Sequence, residues 1–328
     1  MTRAAAAILV LVFVLFGQAF GQQRELQLIG FAGGPNWPLW VADEKGFFTD
    51  ENLRVKFTPT PSSTFLVRGL MDGKFDIALA AIDNVIAYQE GQGEAALNET
   101  PDMFAFLGNL RGSLRLIALP EIRSIGELRS KSIAVDARTT GFAFVLMKML
   151  EVGGLRPSDY QLDSVGGTTA RVKALFDRTT SASLINSPLE AGLLAKGYSD
   201  LGSATSLIGP YQGTVGVARR SWAKAHREEL VHFIRAYVRA TDWLRNPANR
   251  DEALKVFERV TKATPEAADT AYRLLLTTDD GIQAHGKIDM PGIATVLKLR
   301  SEYGEPRRDL TDPAKYVDES YFREAVGR

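Results

Sequence analysis

Apolar and polar residues alternate from Glu25 to Phe31, with Leu26 and Leu28 on one side, and the run ends in Gly33-Gly34-Pro35. That pattern predicts a strand entering a tight loop. A short helix follows, because Pro38 suits a first turn and Leu39, Trp40 and Ala42 give an apolar side that Gly46 ends. Leu53 to Thr58 alternates as a second strand. Pro59 to Thr64 is a loop whose hydroxyls suit an N-cap, and the helix through Phe65, Leu66 and Met71 stops at Gly73. Phe75 to Ala81 reads as a buried strand running into a helix from Val85 to Glu90. Strand and helix thus alternate three times, which predicts a sheet with parallel strands covered on both faces. Small ligands in such sheets bind beyond the carboxyl ends of the strands.

Met103 to Leu107 is apolar after a polar connection, and Leu114 to Leu119 reads as a strand leaving the first unit. The alternation then restarts. Ser132 to Val135, Tyr160 to Val165 and Ala182 to Ile185 are strands; Phe142 to Val152, Thr168 to Arg178 and Pro188 to Lys196 are helices. Thr214 to Ala218 is a strand returning to the first unit, and the rest of the chain is helical. Leu230, Phe233, Ile234, Tyr237, Val238, Thr241 and Leu244 recur at three and four residues, a helix laid on a core, with Ser221 as its expected cap and Pro247 beyond its end. Asp251 to Lys262, Pro265 to Leu276 and Pro291 to Tyr303 predict further helices. Two crossings between units make a hinge suited to closing on a ligand.

Charge adds an exclusion. Lys plus Arg and Asp plus Glu both total 39 among the 328 residues, with no basic run, so nothing draws the chain to nucleic acid. At the N-terminus Arg3 precedes an apolar run, Ala4 to Phe16, and small residues up to Gly21. This is the layout of an export signal over residues 1–21, cut near Gly21-Gln22, because a run of 13 apolar residues is too short to span a bilayer. There is no cysteine. Disulfides, thiol catalysis, cysteine-ligated metals and a lipid-modified N-terminal cysteine are therefore excluded, and the exported chain relies on its core.

The segments PLWVADEKGFFTDENLRVKF, GLMDGKFDIALAA, KSIAVDARTTGFAFVLMKMLEVGGL and SASLINSPLEAGLLAKGY, in that order, resemble the exported substrate-binding proteins of ABC importers. The resemblance is to the type II periplasmic binding fold, in the group that handles nitrate, sulfonates, taurine and thiamine-precursor pyrimidines. It implies an α/β protein of two lobes, each a mixed sheet flanked by helices. Residues 22–115 with 215–328 would form the first lobe and 116–214 the second. It further implies capture of a small polar, anionic or amphoteric solute, delivery to an inner-membrane ABC permease with its ATPase, a periplasmic location, a monomeric state, no cofactor and no enzymatic activity. The alternatives are a ligand sensor for a membrane receptor, or an enzyme on the same fold. The related pyrimidine-synthesising enzyme needs a cysteine-rich motif that this chain lacks.

The resemblance also implies which loops face the cleft: those with Trp37, Ser62 to Thr64, Ile82 to Asn84, Thr139 to Phe142, Asn186 to Pro188, and Tyr211. All but Tyr211 follow from the strand-end rule as well. Ser62-Ser63-Thr64 and Thr139-Thr140-Gly141 place hydroxyls and N–H groups at helix starts, where an oxyanion or carboxylate can bind, although each hydroxyl can equally be an ordinary cap. Trp37, with Asn36 beside it, could stack on a planar part of the ligand opposite Phe142 or Tyr211. Trp40 and Phe144 read as core. Asp83, just past a buried strand, either receives a ligand N–H or caps the helix at Val85. Arg138 is the cation nearest a cleft loop, with Arg111 and Arg115 further away; Asn186 and Ser187 complete the candidates. His226, His232 and His285 share no face, and no metalloprotease, Walker or hydrolase motif occurs. Gly166-Gly167-Thr168-Thr169 is Gly-rich at a helix start but has no phosphate-loop lysine.

Overall fold

The computed structural model describes residues 23–327, so the predicted export signal lies outside the described residues. Strands β1 (Arg24–Gly30), β2 (Leu53–Pro59), β3 (Ile77–Ala81) and β4 (Met103–Arg111) build the first sheet. The second comprises β5 (Leu114–Ala118), β6 (Ser132–Val135), β7 (Gln161–Ser164), β8 (Ala182–Asn186) and β9 (Ser199–Ser203). Strand β10 (Gln212–Arg219) then returns to the first sheet, whose order is β2-β1-β3-β10-β4, while the second runs β7-β6-β8-β5-β9. The two-lobed α/β architecture is thus present.

Both sheets are mixed in the same way. In the first, β1 is parallel to β2 and β3, with Leu28 opposite Ile77, and β10 runs antiparallel between β3 and β4. In the second, β6 is parallel to β7 and β8, and β5 runs antiparallel between β8 and β9. The antiparallel member of each sheet is a strand that carries the chain from one lobe to the other. The parallel strands β1, β3, β6 and β8 all lead at their carboxyl ends into residues that border one cavity, Phe31, Ala81, Asp136 and Asn186. That arrangement positions the site.

Local expectations shift in two places. The helix after β3 is Ile82–Gln89, so Ile82, Asp83 and Asn84 form its first turn instead of a loop. Ser221 does not cap the long helix: it sits inside a separate short helix, Arg220–Ala225, and the long one, Arg227–Arg245, starts after His226 with Glu228 and Glu229 in its first turn. Those acidic side chains suit the positive end of the helix dipole.

One core cluster covers one face of the first sheet, through Leu26, Leu28, Ile77, Leu79, Phe104 and Phe106, and takes in the helices Trp37–Glu44, Arg227–Arg245, Arg250–Thr261 and Pro265–Leu276. A second is continuous between lobes: it joins Ile82, Val85 and Ile86 with Phe144, Val145 and Met149 of the helix Gly141–Val152, and Ile293, Val296 and Leu297 of the helix Met290–Tyr303. Along that seam Phe144 packs on Tyr303 with ring centroids 5.9 Å apart, Lys148 pairs with Glu302 at 2.8 Å, and the Tyr303 hydroxyl donates to Glu151.

Candidate functional site

A cavity of about 90 Å³ lies between the lobes. The first lobe contributes the loop Phe31 to Asn36, Ser63, the end of β3 with Asp83 and Asn84, and Asn109, Leu110 and Thr214 from the antiparallel strands. The second contributes Asp136 after β6, Thr140 to Phe142, Gly167, Thr168 and Arg171 beyond β7, and Asn186 to Leu189 after β8. Phe31, Pro35, Leu79, Phe142 and Leu189 make much of the wall apolar, and a few polar groups converge within it. This is the usual composition of a small-molecule site.

Gly34 packs closely on both lobes here. A Cβ at that position would stand 2.7 Å from Leu275 Cδ1 of the same lobe and 3.1 Å from Pro188 Cδ of the opposite one, so a larger residue would displace the Leu275 side chain and crowd the contact with Pro188.

Asp83 is the most strongly engaged group. Both it and Arg300 are 1% exposed, and the guanidinium holds the carboxylate bidentately, Nε to Oδ1 at 2.5 Å and Nη2 to Oδ2 at 2.6 Å. Asp83 Oδ2 also accepts the Gly141 N–H at 2.7 Å, and Arg300 Nη2 donates to the Thr139 carbonyl at 2.7 Å. The pair thus fastens the first lobe to the start of the helix Gly141–Val152 in the second. An anion does sit at that helix start, as the hydroxyl-rich loop suggested, and it is the protein's own carboxylate.

Other expected contacts are placed elsewhere. Trp37 has no exposed surface: its ring lies 4.6 Å from Phe257 and 6.2 Å from Tyr272, and it does not border the cavity. The glycine-rich loop has a core to join because the C-terminal helices cover it. Tyr211 is 1% exposed, packed 6.3 Å from Phe142, and its hydroxyl has no partner among the described residues; burial raises its pKa well above the ordinary value. It lies behind the lining. Ile82 is core. Ser62 caps the helix Ser63–Met71 through the Phe65 N–H, Thr64 is outside the lining, and Arg138 donates to the Leu162 carbonyl on another face. Thr139 is exposed and bonds Glu94. Arg111 and Arg115 pair with Asp289 and Asp200.

Asn36, Ser63, Asp83, Thr140, Gly141, Phe142, Asn186 and Ser187 do border the cavity. Asn36 Nδ2 donates to the Phe31 carbonyl at 2.8 Å, Thr140 Oγ1 to the Ala137 carbonyl at 3.0 Å, and Ser187 Oγ to Glu190. Ser63 Oγ reaches across the cleft to Asp136 Oδ2 at 2.6 Å.

Asp136, Arg171, Asn109 and Thr214 border the cavity and escaped the sequence reading. Arg171 is 2% exposed; Nη1 donates to the Leu184 carbonyl at 2.6 Å and Nη2 to Thr168 Oγ1 at 2.8 Å, both neutral acceptors, and Nε has no partner among the described residues. Burial pushes its pKa down to about 10, with nearby Asp136 opposing, so it remains a cation at neutral pH. Asn109 Oδ1 and Thr214 Oγ1 are buried at the cavity without partners among the described residues. Buried polar groups left open in this way cost stability unless something fills the site. Arg171 falls on the buried side of its helix with Ala174 and Leu175, at three and four residues' spacing; a charge on an apolar stripe was the available signal. Among the described residues no three His, Cys, Asp or Glu side chains converge to hold a metal, and no helix is long and apolar enough to cross a membrane.

Residues 36–250 match the family model described as NMT1/THI5 like. Among solved structures, the fold is shared with the ligand-binding component of an ABC-type import system from Staphylococcus aureus with zinc bound, at a TM-score of 0.74 and 12% identity over 92% of this chain and 99% of that one. The nitrate-binding protein NrtA from Synechocystis PCC 6803 gives 0.73 and 14% over 93% and 88%. The alkanesulfonate-binding protein SsuA from Xanthomonas axonopodis pv. citri, bound to MOPS, gives 0.70 and 16% over 90% and 98%. A search of curated protein sequences found no match.

Proposed function

This chain belongs to the NMT1/THI5-like family, and from that premise we propose that it is the solute-binding component of an ABC importer, closing two lobes on a small polar solute. The observation that carries the reading is the cavity between lobes, lined from both sheets and holding open buried polar groups at Arg171, Asn109 and Thr214. Contacts from both lobes give a ligand higher affinity for the closed state than for an open one, which is what capture by closure requires. The ABC-import, nitrate-binding and alkanesulfonate-binding names of the structural neighbours support the same role.

In this reading residues 22–115 with 215–328 form one jaw and 116–214 the other, the N-terminal segment directs export to the periplasm, and an inner-membrane permease with its ATPase receives the solute. Protein purified from its own periplasm and sprayed under native conditions should carry a small molecule, released unchanged on denaturation. Recovery of a chemically altered product would favour an enzyme. N-terminal sequencing of the same sample should begin near Gln22.

A further inference from the structure

We propose that the cleft selects a bipolar solute, one that presents a small anionic group to Arg171 and the helix start at Thr168 and, on the same molecule, an ammonium or N–H donor to Asp136. The inference rests on the solute-binding reading above and specifies its ligand.

The anionic pole is placed by comparing the helix starts at the cleft: Trp37–Glu44 has Pro38 in its first turn and its Trp37 N–H bonded to the Gly34 carbonyl, and Leu189–Leu194 carries Glu190 in its own first turn. Ser63–Met71 is capped by Ser62 Oγ, Gly141–Val152 is answered by the Asp83 carboxylate, and Ile82–Gln89 carries Asp83 in its own first turn. The nine-residue helix Thr168–Phe176 has no side-chain cap, and Gly167 and Thr168 border the cavity. Its first turn holds Arg171, whose buried charge meets only neutral acceptors at hydrogen-bond distance. A buried guanidinium without an ion-paired partner and an open helix start converge on one requirement, an anion.

The opposite pole comes from Asp136. It lines the same cavity, half-buried, and one of its oxygens accepts from Ser63 Oγ across the cleft. It influences Arg171 through space, yet among the described residues the two form no ion pair. A carboxylate and a guanidinium held apart in a small, partly apolar cavity make a fixed dipole. A plain anion would answer Arg171 while crowding Asp136, and like charges at close range in a low-dielectric site repel strongly. A molecule with both groups satisfies both walls, so discrimination arises from rejection as well as attraction. The volume of about 90 Å³ keeps that molecule small.

Calorimetric titration and thermal shift of the dialysed full-length mature protein would compare β-alanine with propionate and taurine with ethanesulfonate, alongside nitrate, sulfate and propylamine. Expected is binding of an amino probe at least tenfold tighter than its des-amino partner. Asp136→Asn, which keeps an acceptor for Ser63, should bring that ratio toward one, and Arg171→Lys should weaken every anionic probe about tenfold or more. Circular dichroism would check that both variants fold. Nitrate, sulfate or a des-amino anion binding the wild type as tightly as the amino probes overturns the inference, as does a ratio unchanged in Asp136→Asn. If no probe binds, the molecule co-purifying from the periplasm decides: one bearing both groups supports the assignment, and one lacking either overturns it. Absence of any co-purifying or binding molecule would sink the solute-binding role itself, and this inference with it.

Discussion

Gly141 has no side chain, and that is what brings its amide within reach of Asp83: a Cβ there would collide with the carboxyl carbon. Gly141→Ala should therefore cost about 1–3 kcal/mol through forced displacement. Asp83→Asn should cost more, about 3–5 kcal/mol, because it leaves Arg300 buried without its counter-charge. Urea unfolding of the two variants checks both, and a smaller loss for Asp83→Asn than for Gly141→Ala would contradict this order. Glu190 gives a pH prediction. It is 2% exposed, one oxygen accepts from Ser187, the other has no partner among the described residues, and burial raises its pKa above 4.5, with the Ser187 bond opposing. The folded state then holds this proton more tightly than the unfolded state, so stability falls as pH climbs from about 4.5 through the folded value. Glu190→Gln should match the wild type below pH 4 and become the more stable protein as pH rises, in unfolding curves taken across that range. At this scale the sequence was only partly informative. Asp83, expected as a ligand contact or as the cap of the helix at Val85, lies inside the first turn of that helix and pairs with Arg300, 217 residues away. No local pattern names such a partner. Arg300 did leave a trace, since it extends the stripe of Ile293, Val296 and Leu297 on its helix.

Elements were more legible than contacts, because periodicity is local and packing is not. The strands at Leu26, Phe57 and Ile133, and the long helix through Phe233 and Tyr237, follow from alternation and from three- and four-residue spacing. Trp37 shows where that reading stops. Its loop looked short of core, but the covering residues Phe257 and Tyr272 come from helices more than 200 positions later. The tryptophan thereby pins the helix Trp37–Glu44 to the layer Arg250–Leu276. Trp37→Ala should cost about 3–5 kcal/mol of stability through the cavity it leaves. Trp37→Phe should retain the solute affinity of the wild type in titration, since the ring does not border the cleft; a tenfold loss of affinity in Trp37→Phe would place it at the ligand after all.

For the whole molecule, a ligand that binds only the closed form stabilises it by mass action, by about 2.7 kcal/mol at a hundred times its dissociation constant. At this chain length that corresponds to a rise of several degrees in melting temperature, which makes thermal shift a sensitive screen. The lobes differ in what joins them on each side of the cavity. On one side lie the buried Asp83 and Arg300 pair and a continuous apolar core. Elsewhere the cavity is bordered by exposed residues, Ala32 of the first lobe and Leu189 of the second. A swinging door has a jamb and a free edge, and this distribution of contacts assigns them. If the lobes part as the proposed role requires, the buried pair would keep Asp83 and Gly141 together, and the exposed border at Ala32 and Leu189 would be where they separate.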